Sequence, residues 1–194
     1  MAISGAEFKK KYPNTEFYKL TNETECHNEF QFKDGLNVDI VSFNPKGECS
    51  KGGLYFTELY KIGMWTNYIE IKYIRKVEIL DDSLVYIENN KFKTDKFFLH
   101  EKALLENFPY WNDEYFCKVA VTQDGLVLQY VKEQTEEICK LAVQENGLAL
   151  QYVQEQTEDI CRLAVRQNHM ATRYFKNDKN CLTLYEYLLF LFGY

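Results

Sequence analysis

Over the first hundred residues apolar side chains come in short runs that alternate with polar ones. From Asp113 onward they recur at helical spacing inside a unit of 22 residues. The alternating runs predict strands. Residues 17–20 (FYKL) are stopped by Thr21-Asn22, and 30–32 (FQF) run into the turn signal Asp34-Gly35. Residues 38–43 alternate weakly before the loop 44–47. The strand over 54–57 follows Gly52-Gly53, a pair that signals a close backbone approach or a positive φ. Residues 58–64 predict one or two helical turns. Residues 68–80 form the longest strand-like run, whose apolar positions fall in two phases; one extra residue near Ile74-Arg75 would reconcile them. Residues 84–87 and 91–99 flank Asn89-Asn90, a hairpin centre. Residues 101–108 read as a linking helix ended by Pro109, and the polar, lysine-rich residues 1–14 as a loose lead-in.

The repeat reads DEYFCKVAVTQDGLVLQYVKEQ, then TEEICKLAVQENGLALQYVQEQ, and begins a third time at Thr157. Cys117, Cys139 and Cys161 keep its phase, as do Tyr130, Tyr152 and Tyr174. A fixed period of this size marks an array in which one unit cannot bury its apolar face alone. Asp113, Thr135, Thr157 and, after a two-residue deletion, Asn177 each stand four residues before a Cys and are expected N-caps. Acidic residues follow them, where the helix dipole favours negative charge. Asp124-Gly125 and Asn146-Gly147 stand where a left-handed C-terminal cap is expected; His169 takes the glycine's place in the third unit and reads as a degenerate cap. A second short helix over 148–155 completes the hairpin.

The predicted fold class is therefore α+β: a lead-in over 1–15, a β-rich α+β domain over 16–100, and helical-hairpin repeats over 101–194 that stack as a short α-solenoid. The units lie near 113–134, 135–156 and 157–176, with a capping helix over 177–192. Equivalent helices in such a stack lie about 8–10 Å apart, whereas a disulfide needs Cα atoms within about 7 Å. The Cys column is thus expected to form neither disulfides nor a zinc site. Tyr130, Tyr152 and Tyr174 read as inter-repeat core or as an aromatic ladder for a partner, and the runs 132–137 and 154–159 as a solvated edge. The chain end LTLYEYLLFLFGY, with Leu188, Phe190 and Phe192, needs a cover, either the preceding hairpin or a second copy as a homodimer seam.

Charge narrows the partners. Residues 1–100 hold 14 basic and 15 acidic side chains, and 101–194 hold 9 and 14, for a net charge of −6. Neither half offers the basic footprint that a phosphate backbone requires, so no nucleic-acid partner is expected. MAISGAEFKKKY lacks the apolar segment of a secretory leader, and no run has the length of a membrane span. Four of the six cysteines sit in the repeat register rather than in a secreted framework. An intracellular site, a protein partner and no cofactor are the expectations.

Several blocks in the first half follow an order that resembles a known family: Leu20-Thr21-Asn22, then FQFKDGLN over 30–37, CSKGGLYFT over 49–57 and KTDKFFL over 93–99. They are similar to the N-terminal domain of many giant DNA virus (Mimivirus-like) proteins, often followed there by ankyrin repeats. The blocks NGLALQYV and QTEEICKLAV resemble a short helical repeat also expanded in those viruses. The resemblance covers roughly residues 16–180 and implies an amoebal host, with action in the host cytoplasm or virus factory. It departs in having helical hairpins where ankyrins usually follow.

Candidate chemistry is sparse. Cys26-His27 with Cys49 lacks the close second pair that a zinc site shows. The order His27, Gly35-Leu36, Gly53-Leu54-Tyr55-Phe56 is similar to the pattern of ADP-ribosyltransferases, in which the His and Tyr hold the nicotinamide end of NAD and a later Glu acts on the ribose. Asn28 stands where that family has a glycine, and no carboxylate is singled out as the acid, Glu78 and Glu88 being merely available. The leading expectation is a non-enzymatic viral protein–protein interaction module, with viral or host protein as partner. An NAD-binding or degenerate transferase domain using His27 and Tyr55, and a self-associating structural protein, are the alternatives.

Overall fold

The computed structural model describes residues 1–47, 50–68 and 70–176. The chain divides into two compact units, Met1–Phe108 and Pro109–Tyr194.

The first unit is built on strands β1 (Ile3–Ser4), β2 (Phe17–Asn22), β3 (Cys26–His27), β4 (Phe30–Gln31), β5 (Gly35–Val38), β6 (Leu54–Glu58), β7 (Ile71–Glu78), β8 (Leu84–Ile87), β9 (Phe92–Thr94), β10 (Lys96–Leu99) and β11 (Ala103–Leu104), with one α-helix among the described residues, α1 (Gly5–Lys11). Nine of them form an antiparallel sheet in the order β1-β8-β9-β6-β2-β7-β10-β5, with β11 also on β7. Among the described residues it is an open sheet, ending in β1 and β5. Strands β3 and β4 make a separate hairpin.

The expected lead-in is instead structural. Ser4 and Glu7 form a capping box that starts α1, and Ile3 and Ser4 pair with β8. Phe8 then enters the core completely. Its ring lies 5.0 Å from Phe17 and 5.1 Å from Phe92, within an edge-and-tilt cluster that includes Phe56 and Tyr12. Polar composition hid this, because a seven-residue helix needs only one deep anchor.

The two phases of 68–80 have a different cause from the one expected. Phe17 pairs with Val77 and Leu20 with Ile74, so β2 buries both of its faces at the middle of the sheet and β7 does so at Ile74-Arg75. The extra residue sits earlier, at Lys72, where the register shifts between Thr21 and Asn22. The linking helix over 101–108 does not form either. His100 N–H donates to the Lys76 carbonyl, and Ala103 and Leu104 pair with Ile74 and Tyr73. A short 3₁₀ turn, Leu105–Asn107, follows.

In the second unit each repeat is an α-helix followed by a 3₁₀ helix: α2 (Glu114–Gln123) then Gly125–Tyr130, α3 (Glu136–Glu145) then Gly147–Tyr152, α4 (Glu158–Gln167) then His169–Tyr174. Asp113, Thr135 and Thr157 cap the α-helices through Phe116, Ile138 and Ile160 N–H groups; Asn177 lies outside the described residues.

The left-handed cap is absent. Asp124, Asn146 and Asn168 are extended (φ −153, −142 and −150°). Each accepts from an N–H two residues on, capping the 3₁₀ helix as it ends the α-helix. Neither Gly125 nor Gly147 has positive φ, and nor does His169. Glycine is needed for room: a Cβ at Gly125 would stand 2.3 Å from the Ala142 carbonyl oxygen, and at Gly147 2.4 Å from that of Ala164.

Side chains then tie one unit to the next with a 22-residue rhythm. Gln134 Nε2 donates to the Leu128 and Tyr152 carbonyls while its Oε1 accepts from Gln154 N–H. Gln156 repeats this with Leu150, Tyr174 and Lys176. These glutamines belong to runs expected as a solvated edge, yet Gln156 is 3% exposed. The solvated side is the ion ladder, with Lys118 between Glu114 and Glu137 and Lys140 between Glu136 and Asp159.

Cys117 and Cys139 are free, buried thiols whose pKa burial pushes up to about 11. Cys161, in contrast, is disulfide-bonded. The expectation that the Cys column forms no disulfide is therefore corrected at Cys161.

Candidate functional site

Where β2 leaves the aromatic core, its inward-facing residues change from Phe17 to Lys19 and Thr21, because alternate residues share a face of the sheet. The mouth of the sheet there holds a cleft with a cavity volume of about 80 Å³. β2 supplies Lys19 and Thr21, β6 supplies Tyr55 and Thr57, and the 3₁₀ helix Leu59–Trp65 and the turn after it supply Trp65 and Tyr68. The β3–β4 hairpin closes one side with Cys26 and His27, and Lys91 stands at the turn into β9. A second cleft shares Lys19, His27, Phe32 and Tyr55 and extends past Gly52-Gly53.

The hairpin that carries His27 is held from below. Arg75 on β7, almost wholly buried, pairs with Glu25 and Asp34 and donates to the His100 carbonyl; Lys102 also reaches Glu25, at 2.7 Å. The hairpin turn is Asn28-Glu29, both with positive φ (49 and 67°). That is the primed turn that matches strand twist. It explains why a glycine or asparagine follows His27, since either tolerates this backbone.

Gly52 and Gly53 have φ of 86 and 134°. A Cβ at Gly53 would lie 2.7 Å from the Lys93 side chain. Lys93 is fully buried and its Nζ donates to the Asn44, Lys46 and Ser50 carbonyls, so it organises the preceding loop rather than a ligand.

His27 and Tyr55 therefore line one cleft. His27 has its pKa lowered, first by burial and then by the charges of Lys19 and Lys91. The Tyr55 ring carries the Lys91 ammonium 4.4 Å from its centroid. Among the described residues no carboxylate lines the first cleft. Glu78 instead faces His100, at 3.5 Å, and Glu88 faces Lys91, at 3.9 Å. Asp39, in the second cleft, accepts from the Gly53 and Val41 N–H groups. Cys49 lies outside the described residues, among which no group of three potential metal ligands occurs.

Sequence reasoning missed Lys19. It is 9% exposed and its Nζ lies 4.7 Å from the centre of the Phe32 ring. Burial, and secondarily Lys91, pushes its pKa down to about 8. The available signal was a cation in phase with Phe17 inside an apolar run.

In the second unit Tyr130, Tyr152 and Tyr174 are all half-buried. Tyr130 stacks on the buried Trp111 with centroids 5.4 Å apart. Leu188, Phe190 and Phe192 lie outside the described residues. No helix among the described residues is long and apolar enough to cross a membrane.

Comparison with known proteins places the chain among relatives of giant-virus proteins. It is 38% identical over 84 residues to an ankyrin repeat protein, R868, of Acanthamoeba polyphaga mimivirus, a match covering 42% of this chain and 40% of that protein. It is 54% identical over 44 residues to the uncharacterised protein R869 of the same virus, covering 22% of this chain and 32% of the relative. The matches thus span well under half of either relative's length. No family model matches the chain, and no solved structure does.

Proposed function

We propose that the chain is a non-enzymatic interaction module whose repeats stack as a short α-solenoid and dock a viral or host protein in the infected host cell, in its cytoplasm or the virus factory. The observation that carries this reading is the recurrence of the same inter-unit bonds at Gln134 and Gln156, and at Gly125 and Gly147, whose N–H groups donate to Glu145 Oε2 and Gln167 Oε1. Such bonds fix each unit against the next and hold equivalent side chains in columns, the arrangement that gives repeat proteins extended binding surfaces. The half-buried column Tyr130, Tyr152 and Tyr174 supplies amphipathic anchors of the kind that dominate interfaces. One relative is described as an ankyrin repeat protein, which supports interaction in general terms.

The test is proximity labelling of the full chain in infected amoebae, followed by calorimetry with the purified candidate. A saturable complex weakened at least tenfold by Tyr152→Ala and Tyr174→Ala together is expected. An ADP-ribosyl, glycosyl or phosphodiester transfer activity abolished by His27→Ala would overturn the reading. The convergence of His27 and Tyr55 favours ligand binding in the first unit as a second reading, but no carboxylate among the described residues lines the first cleft to serve as the acid.

A further inference from the structure

A buried ammonium needs a counter-charge or a full set of acceptors, because water no longer supplies them. The buried guanidinium of Arg75, beside Lys19 across the β2–β7 ladder, has its counter-charges in Glu25 and Asp34. Lys93 has its carbonyl cage. Lys19 has neither among the described residues; only the Phe32 ring faces it. It lines both clefts, so its ammonium opens into a space that a ligand can enter. Two more donors on these walls are buried without a protein acceptor, Trp65 Nε1 and Thr21 Oγ1.

We propose that this cleft is a receptor for a small, flat aromatic monoanion, an aryl carboxylate, whose charged end lies against Lys19 and whose ring lies among Tyr55, Trp65 and Tyr68.

Charge counting selects the anion. Lys91 is already matched by Glu88, no carboxylate among the described residues lines the first cleft, and neither Glu29 nor Asp39 of the second makes an ion pair with Lys19, which leaves one uncompensated positive charge there. A carboxylate balances one charge; a doubly charged phosphate would be left half unmatched. The walls select the body, since an aromatic face meets other rings edge-on or offset and gains more than area alone supplies. Size sets the limit. A cavity of about 80 Å³ has room for roughly five to eight water-sized spheres at about 10–15 Å³ each, the scale of one substituted ring and not of a dinucleotide.

The test is isothermal calorimetry on the full chain at neutral pH with benzoate, benzamide, inorganic phosphate and acetate. Benzoate is expected to bind with a Kd below about 1 mM, and benzamide, the same ring without charge, at least tenfold more weakly. Lys19→Met should lower benzoate affinity at least tenfold. Tyr68→Ala, at a half-exposed ring outside the buried core, should weaken benzoate but not acetate. Equal binding of benzoate and benzamide overturns the charge assignment, and phosphate or acetate binding as tightly as benzoate overturns the aromatic one. No benzoate binding up to about 10 mM overturns the site altogether.

Discussion

Lys19→Met is the substitution that most directly tests the physical account of the first unit. The methionine keeps the unbranched shape and removes a charge that the fold buries without an ion partner among the described residues. Lys19's pKa falls from an ordinary 10.5 to about 8, by burial first and Lys91 second. A fall of about 2.5, at about 1.36 kcal/mol each, puts roughly 3 kcal/mol of penalty on the charged form. The Phe32 ring offsets about 1 kcal/mol of it. The variant should therefore be about 2 kcal/mol more stable than the parent near pH 7. The sign reverses the usual lysine case. Because the folded pKa is depressed, the unfolded chain binds more protons between pH 8 and 10.5, and the parent gains stability as pH rises through that window. The variant lacks this gain, so the gap between the two should close by pH 10.5. Cys117 and Cys139, pushed up to about 11, act in the opposite direction but equally in both proteins. Removing the Lys19 charge also eases His27, whose lowered pKa depends on it in part; that effect belongs to pH values below 7. Urea unfolding followed by circular dichroism at pH 7 and pH 10 measures the difference. A variant less stable than the parent at pH 7, or a gap that does not shrink with pH, would refute the reasoning.

Three further substitutions probe the architecture. Phe8→Ala removes the single anchor of α1 and should cost about 3–5 kcal/mol in urea unfolding; a cost under about 1 kcal/mol would restore the lead-in reading. Gly147→Ala and Gly147→Asn should destabilise alike, by about 2–3 kcal/mol, because each brings a Cβ against the Ala164 carbonyl. A left-handed cap would instead favour asparagine over alanine, so the ranking of their melting temperatures decides between the two accounts. Glu29→Gly should stabilise the first unit by about 1 kcal/mol by relieving a positive φ at the second turn position; a loss of stability would mean the Glu29 side chain has a role beyond the turn.

The sequence by itself determined whatever is local. The caps at Asp113, Thr135 and Thr157 are visible because a short polar side chain meets its own helix within three residues. The strand runs around 17–20, 54–57 and 84–87 are visible because alternation is a two-residue signal. The 22-residue period is visible because identical environments require similar residues. Only the tertiary structure decided what depends on a distant neighbour. Gly147 looked like a conformational glycine until Ala164, 17 residues on, was placed against it. Residues 101–108 carry a helical composition, yet the open edge of β7 offers a ladder that outweighs weak propensity. Gln156 is polar in sequence and buried in space because its amide meets the acceptors and donor of the next unit. The candidate site divides in the same way. His27 and Tyr55 were legible from motif order, whereas Lys19 was not, because a buried charge is defined by what surrounds it and not by its own chain neighbours.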